Sequence, residues 1–450
     1  MRVRWPHGAG SGRYIVLLAC IGVALTLGVV APRAASPAPS FGRPTSYGTG
    51  SEPGSIALGD LNADRAPDLA TANADDDTAS VLLNKGHGSF RARREYRTGG
   101  FPNSVASGDL NGDGKPDLAI ANGAGNSTSV LLNSGNGSFE AKLDYATGGF
   151  PESVALGDLN GDGKPDLATA NGGTNSISVL LNSGDGSFQT RLDYGAGSHP
   201  YSVALGDLNG DEQPDIATAN RDASTVSVLL NTGDGTFQAK VDYRTGSFPE
   251  AVVVGDLNAD GKLDLATANV GPDTLSVFAN RGDGSFQPKR DYRTGGLPES
   301  VAIGDLNADG KADLATANRT TSTASVLLNR GDGSFQAKVD YRTAAENIFV
   351  VIGDLNGDRK LDLATANPDN DTVSVLLNTT GLCTVPNVEG KTLPHAKRLI
   401  VHAHCRIGKV RRAYSRFVKR GRVMSEKPKP GTVLPKGGKV NLVVSRGGTS

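Results

Sequence analysis

Cysteine is scarce: three residues in a chain of 450. One of them, Cys20, sits inside an apolar run, which leaves a single pair, Cys383 and Cys405, and no means of building a disulfide-dense scaffold. Methionine (two), tryptophan (one) and histidine (six) are equally sparse, and the histidines are scattered, so no histidine-based metal centre is indicated. The chain holds no H-E-x-x-H, no G-x-S-x-G and no P-loop string, which removes the common sequence routes to zinc proteolysis, α/β-hydrolase chemistry and nucleotide hydrolysis. Glycine, in contrast, is abundant (59), and the apolar and charged fractions of 37% and 21% are those of a folded protein. A turn-rich chain of this kind leans towards β architecture.

Net charge is also nearly missing, at −1, yet this hides two opposed blocks. From Cys383 onward there are 16 Lys/Arg and 2 Asp/Glu, a surplus of +14; the rest of the chain keeps 30 basic and 45 acidic residues, or −15. Two modules of opposite sign are therefore expected. Ahead of them, Arg2, Arg4 and Arg13 precede the apolar run "YIVLLACIGVALTLGVVA" (14–31) and then "PRAASPAPS". Residues 1–35 read as a secretory signal peptide, with a retained anchor as the alternative, and Cys20 as part of that signal. In an exported protein Cys383 and Cys405 are expected to form one disulfide.

The string "GDLN" recurs with its Asp at 60, 109, 158, 207, 256, 305 and 354, a constant step of 49 residues. Within one copy, "SVALGDL", "DLATAN", "SISVLLN" and "TRLDYGAG" each have strand character, and "SGDGSF" is a Gly-rich hairpin turn. Four short strands per repeat describe a propeller blade. The ends of the array point to closure: "SFGRPTSYGTG" (40–50) aligns with the fourth-strand segments, whereas the seventh copy stops at "VSVLLNTTG" (373–381) without one. The expected fold is all-β: a seven-bladed β-propeller over residues 40–381 whose last blade is completed by the N-terminal strand, so that both terminal edges of the array are paired.

Each repeat carries D-x-N-x-D-x-x-x-D between its first and second strands. The positions are Asp60, Asn62, Asp64 and Asp68; Asp109, Asn111, Asp113 and Asp117; Asp158, Asn160, Asp162 and Asp166; and Asp207, Asn209, Asp211 and Asp215. They continue with Asp256, Asn258, Asp260 and Asp264; Asp305, Asn307, Asp309 and Asp313; and Asp354, Asn356, Asp358 and Asp362. Oxygen side chains at positions 1, 3, 5 and 9, with a carbonyl available at 7, form the shell a hard cation such as Ca²⁺ prefers; Mg²⁺ fits less well because it keeps more of its water. A helix–loop–helix calcium hand is ruled out by position 12, which holds Thr71, Ile120, Thr169, Thr218, Thr267, Thr316 and Thr365 where a bidentate Glu is required. Up to seven Ca²⁺ ions, structural in role, are expected. Arg65, Glu212 and Arg359 replace the turn glycine at position 6 and should weaken their loops.

On "FPESVALGDLNGDGKPDLATAN" and "VSVLLNSGDGSF", residues 41–380 resemble the FG-GAP/VCBS repeats of the integrin α propeller and of many secreted bacterial proteins. The resemblance implies calcium in these loops, on one face of the ring. The chain departs from the integrin pattern in carrying the loop in all seven blades and in lacking an inserted adhesion domain, so integrin-type ligand recognition does not carry over.

Comparison of the repeats with one another shows most variation after the second strand: "NADDDT" at 73, "NGAGNST" at 122, "NRDAST" at 220, "NVGPDT" at 269 and "NPDNDT" at 367. These loops belong to the face opposite the acidic loops, and are read either as recognition loops or as drift at unconstrained turns. Two "RGDG" strings, at Arg281 and Arg330, occupy a hairpin that reads "SGDG" or "TGDG" elsewhere, so repeat drift explains them without cell adhesion.

The basic tail has another pattern. Thr392 is a candidate helix cap, Pro394 suits a first turn, and Leu393, Ala396, Ile400 and Ala403 recur at helical spacing, followed by strands such as "KVNLVVS"; a compact βαββ unit is expected, with His402 and His404 on its helix in solvated or structural roles. Through "VPNVEGKTLPHAKRLI" and "GRVMSEKPKPGTVLPKGGKVNLVVS" residues 383–447 resemble a PASTA domain, a small α+β module whose family is associated with peptidoglycan. Its charge suits an anionic wall polymer, or simply a solvated basic domain; nucleic acid is not an expected partner of an exported chain. The combined expectation is a secreted, wall-associated, non-enzymatic binding or adhesion propeller facing an unidentified glycan or surface protein. A polysaccharide-active enzyme of lyase type and a carbohydrate lectin are the alternatives.

Overall fold

The structure, a computed structural model, describes residues 38–381, 383–434 and 438–448. The apolar run at 14–31, Cys20 and the expected signal peptide lie outside the described residues.

Seven four-stranded antiparallel sheets follow one another at the 49-residue step. In the third, the strands are Pro151–Gly157, Asp166–Asn171, Ser176–Leu180 and Leu192–Gly195, in sequential order. The second strand is buried along its whole length in every blade, which its composition permits: Ala168 and Ala170 on one face are small enough for the neighbouring sheet to approach, and Leu167 fills the other. Thus Ala70, Ala72 and Val81 of the first blade pack on Val105, Leu118, Ile120 and Leu131 of the second. The closeness of this packing explains the glycine that ends each first strand; a Cβ at Gly206 would stand 2.8 Å from Val254 Cγ1.

The seam reproduces the same interface. Strand Thr45–Gly48 pairs antiparallel with Thr372–Leu376 and completes the seventh sheet. Ala364, Ala366, Val373 and Val375 then pack on Ile56, Leu69, Leu82 and Phe90 of the first blade, as in the other interfaces. Tyr47 lies edge-on to Phe90 at 5.2 Å, matching Tyr96 on Phe139 at 5.2 Å elsewhere in the ring, and Phe41 meets Tyr341 at 4.8 Å. The ring is closed by the strand Thr45–Gly48, which pairs the outer edge that Thr372–Leu376 would otherwise leave bare.

Polar side chains do comparable work inside this apolar frame. In the third blade Thr169 Oγ1 donates to Asn171 Oδ1, Asn171 Nδ2 to Ser178 Oγ, and Ser178 Oγ to the exposed Asp193 Oδ1, linking strands two, three and four from the buried Thr169, Asn171 and Ser178 outward. Between blades, an asparagine at each hairpin reaches back: Asn133 Nδ2 donates to Leu61 O of the preceding blade and to Pro116 O of its own. Asn84 makes the equivalent bond to Leu355 O, 271 residues away, and so clips the seam.

The C-terminal module contains one disulfide, Cys383–Cys405, and helix Leu393–His402, on which Ala396 and Ile400 are fully buried. Pro394 lies in the first turn as expected, but the Thr392 side chain makes no capping bond. His404 falls beyond the helix, with φ 54°, because the chain turns there to enter the next strand. The unit is richer than βαββ: strands Arg406–Ala413 and Lys439–Ser445 pair in parallel, Val423–Lys427 joins them antiparallel, and Cys383–Thr384 pairs with Val433–Leu434 in a second small sheet. Two-residue strands carry too little alternation to be visible in a sequence.

Candidate functional site

Three places carry chemistry: the acidic loops, a cavity in the propeller and the basic face of the C-terminal module. In the first loop Asp64 N donates to both Asp60 Oδ1 (2.9 Å) and Asn62 Oδ1 (3.0 Å), Arg65 N to Asp60 Oδ2, and Ala66 N to Asp64 Oδ1. Positions 1 and 3 therefore converge on one amide, and the pattern repeats, for example at Asp158, Asn160 and Asp162. Position 9 is different. Asp68 is fully buried, its Oδ2 accepting from Leu61 N (2.9 Å) and its Oδ1 from Asn84 N (2.7 Å), so it ties the loop to the hairpin in every blade. Burial pushes Asp68, Asp117, Asp166, Asp215 and Asp264 up to about 6, and Asp313 and Asp362 up to about 7. The two other aspartates of each loop add to the rise.

These residues fit a hard cation by donor type: each loop carries three carboxylates and one amide oxygen. The side chains are nonetheless engaged with backbone amides, and no group of three or more acidic, His or Cys side chains among the described residues stands in ready metal-holding geometry. Lysine at position 7 also approaches the position-5 carboxylate, Lys115 Nζ lying 2.8 Å from Asp113 Oδ2. At position 6, Arg65, Glu212 and Arg359 adopt φ of 69°, 68° and 65°, the left-handed backbone that the glycines of the other loops take without a Cβ.

The cavity lies at the other ends of the strands. Its volume is about 260 Å³, and its lining takes one residue from each of the seven first strands or the segment leading into them: Gly54, Asn103, Glu152, Tyr201, Glu250, Glu299 and Ile348. These stand 49 residues apart, so the cavity follows the ring axis. Below them, Ser55, Ser104, Ser153 and Ser202 each accept the amide of the next blade's valine, as Val105 N to Ser55 Oγ at 2.8 Å, which holds the inner strands together.

Acids and bases are paired around this cavity. Glu152 Oε1 lies 3.1 Å from His199 Nε2, and Asn103 Nδ2 donates to Glu152 Oε2. Arg221 Nε donates to Glu250 Oε1 (2.7 Å). Glu299 meets Arg319 at a longer 3.4 Å. Burial raises Glu152 and Glu250, and pushes Glu299 up to about 7 with Glu250 adding to the rise. Tyr201 is held well above the usual phenol range by burial, then by Glu250, Glu152 and Glu299, so these four side chains share one space.

The rim is strained. Glu52, Phe101, Phe150, His199, Phe248 and Leu297, each two residues before a lining position, adopt φ between 52° and 57°. Bulky residues in this region cost free energy and persist only where the surroundings hold them, as Asp77 and Asn126 do by accepting the Phe101 and Phe150 amides. The result is an apolar collar: Phe101, Phe150 and Phe248 remain 37–45% exposed, Phe101 and Phe150 lie 6.1 Å apart, and Arg221 sits over Phe248 at 5.5 Å.

The variable loops divide accordingly. Their first residues Ala74, Arg319 and Pro368 line the cavity, and Arg221 stands at its edge, whereas Asp77, Asn126, Asn175, Asp273 and Asp371 brace the rim backbone. In the RGDG hairpins the Arg281 and Arg330 guanidinia turn back onto Phe286 O and Phe335 O, and Asp283 and Asp332 accept from their own turns, so neither string is presented as a free peptide. On the C-terminal module, strand Arg406–Ala413 forms a sheet edge whose Arg406, Lys409, Arg411 and Arg412 are exposed; Tyr414 lies under Arg446 at 5.6 Å and Phe417 is 98% exposed.

Seven sheets, each packed on the next and the last closed by the first strand, define a seven-bladed β-propeller with a small α+β module after it. The chain belongs to the FG-GAP-like repeat family, which matches residues 60–120, 109–169, 158–218, 207–267, 256–316 and 305–365, and it carries a PASTA domain over 384–446. No curated protein matches the chain. Among solved structures it is similar to a chain of the BBS1N–ARL6DN complex (12% identity, 75% of this chain and 97% of that one, TM-score 0.55) and to a protein from Lactobacillus plantarum (19%, 66% and 86%, 0.50). It is also similar to an Agrocybe aegerita lectin described as recognising non-reducing terminal N-acetylglucosamine (19%, 73% and 96%, 0.49). At these identities the likeness concerns the fold.

Proposed function

We propose that the protein is a secreted, non-enzymatic binding propeller, braced by calcium in its acidic loops and held near the cell wall by its PASTA domain. One observation carries the binding role. In repeats otherwise close to identical, the position two residues after the rim reads Gly, Asn, Glu, Tyr, Glu, Glu, Ile round the ring, and all seven side chains or backbones line one cavity. Structural repeats need no such divergence, whereas a site that recognises one asymmetric ligand does. The exposed basic edge of the PASTA domain supports the second role, since +14 of charge favours an anionic polymer.

Retention of the chain on purified peptidoglycan, with and without residues 383–450, tests the tether; equal retention of both forms defeats it. A glycan array on the mature chain tests the propeller. One feature keeps the lyase reading as a second possibility: Glu299, pushed up to about 7, shares a cavity with Tyr201, the pairing of groups that proton transfer requires. Cleavage of any glycan retained on the array, abolished by Glu299→Gln, would decide for it.

A further inference from the structure

The cavity lining contains four carboxylates, Glu52, Glu152, Glu250 and Glu299, against one guanidinium, Arg319. The groups immediately outside do not reverse this balance. Arg221 is shared between Glu250 at 2.7 Å and Asp222 at 3.6 Å, His199 lies between Glu152 and Asp222, and Arg319 is shared between Glu299 and Glu346. Asp75 adds a further negative charge beside Glu52. The carboxylates do not gather closely enough to hold a single metal ion; they come from different blades and ring a space of about 260 Å³. Phe101 and Phe349 supply apolar faces to that space, and the Tyr201 hydroxyl lines it without a hydrogen bond to a described residue. Dispersed negative charge, aromatic faces and a room of small-molecule size are the features that hold an organic cation.

We propose that the axial cavity is a receptor for a small ammonium-bearing ligand, with Glu152, Glu250 and Glu299 supplying counter-charge and Phe101, Tyr201 and Phe349 enclosing its body. The inference rests on the reading of this face as the binding face, and names the chemistry that the face selects. An amino sugar and an alkyl diamine share that chemistry.

The test is calorimetric titration of the full chain at pH 7 with glucosamine and with 1,5-diaminopentane, each beside its neutral counterpart, glucose and 1,5-pentanediol. Binding of at least one cation is expected, with its neutral counterpart at least about tenfold weaker, as for loss of one charge-assisted contact. Whichever cation binds identifies the source. Glu299→Gln and Glu152→Gln should each weaken that binding by about tenfold or more, with a cooperative melting transition confirming that each variant is folded, while Glu140→Gln, outside the cavity lining, leaves it unchanged. The comparison of cation with neutral counterpart in the unaltered chain stands even if a variant fails to fold. Equal binding of cation and counterpart, binding indifferent to both cavity variants when folded, or no binding of either cation overturns the proposal. Retention on peptidoglycan is read separately, so loss of the tether and loss of amine binding are distinguishable.

Discussion

Replacing Asn84 by alanine asks whether the ring is closed in solution, because Asn84 joins residues at opposite ends of the propeller sequence. Its side chain is 1% exposed and makes three bonds of 2.9 Å: Nδ2 to Leu355 O and to Pro67 O, and Oδ1 from Gly86 N. Asn231 is its counterpart at an internal interface, 2% exposed, with Nδ2 bonded to Leu159 O and Pro214 O at 2.9 Å and Oδ1 accepting from Gly233 N at 2.8 Å. Three bonds at about 1 kcal/mol net, with a buried carbonyl of the neighbouring blade left without this donor, place the loss at about 3–5 kcal/mol for either substitution. Urea unfolding followed by circular dichroism should therefore show Asn84→Ala and Asn231→Ala destabilised alike. A seam that opens in solution would leave Asn84 only its two bonds within the first blade, to Pro67 O and from Gly86 N, so Asn84→Ala would cost about 1–3 kcal/mol less than Asn231→Ala, which refutes closure. Small losses at both sites would refute the role assigned to the asparagine clip.

Further outcomes follow from the loops, the disulfide and the cavity. Removal of divalent cations with EDTA should lower the melting temperature substantially, and an unchanged curve counts against calcium; within the loops, Glu212→Gly relieves a φ of 68° and should stabilise by about 1 kcal/mol while tightening calcium at that loop in calorimetry. Thiol titration without reductant should find Cys383 and Cys405 unreactive, and Cys405→Ala should destabilise the PASTA domain by about 3 kcal/mol for a separation of 22 residues. Glu299 ionises at about 7 in the folded chain, against an ordinary value of 4.5, so between these values the folded form holds a proton that the unfolded form has released. Stability is thus lost as pH rises from 4.5 through about 7, and Glu299→Gln should gain up to about 3 kcal/mol on the native chain at pH 8 and nothing at pH 4. A constant difference across that range would show that burial of Glu299 is not the cause.

What could be read before folding was what the 49-residue step repeats. Strand order, the acidic loop between the first two strands and the transfer of Phe41 and Tyr47 to the last blade all follow from period and alternation, because a closed ring gives the last blade the fourth strand that its own repeat lacks. Roles that depend on contacts made only on folding were hidden. Asp68 reads as a loop residue in one dimension, and folding gives it a second role, with its oxygens accepting from backbone amides 7 and 16 residues away. The cavity was hidden for another reason: Asn103, Glu152, Tyr201, Glu250 and Glu299 sit within strand-like strings whose near-invariant neighbours mask them, and only superposing the seven copies shows that their column differs in charge, size and polarity. Variation in the outer loops was the more visible signal and in part the weaker guide, since Asp77, Asn126 and Asn175 spend it on bracing left-handed backbone. In a ring of near-identical units, symmetry accounts for stability, and a site for one asymmetric ligand must be written in the positions that break it; here those positions converge on the axis.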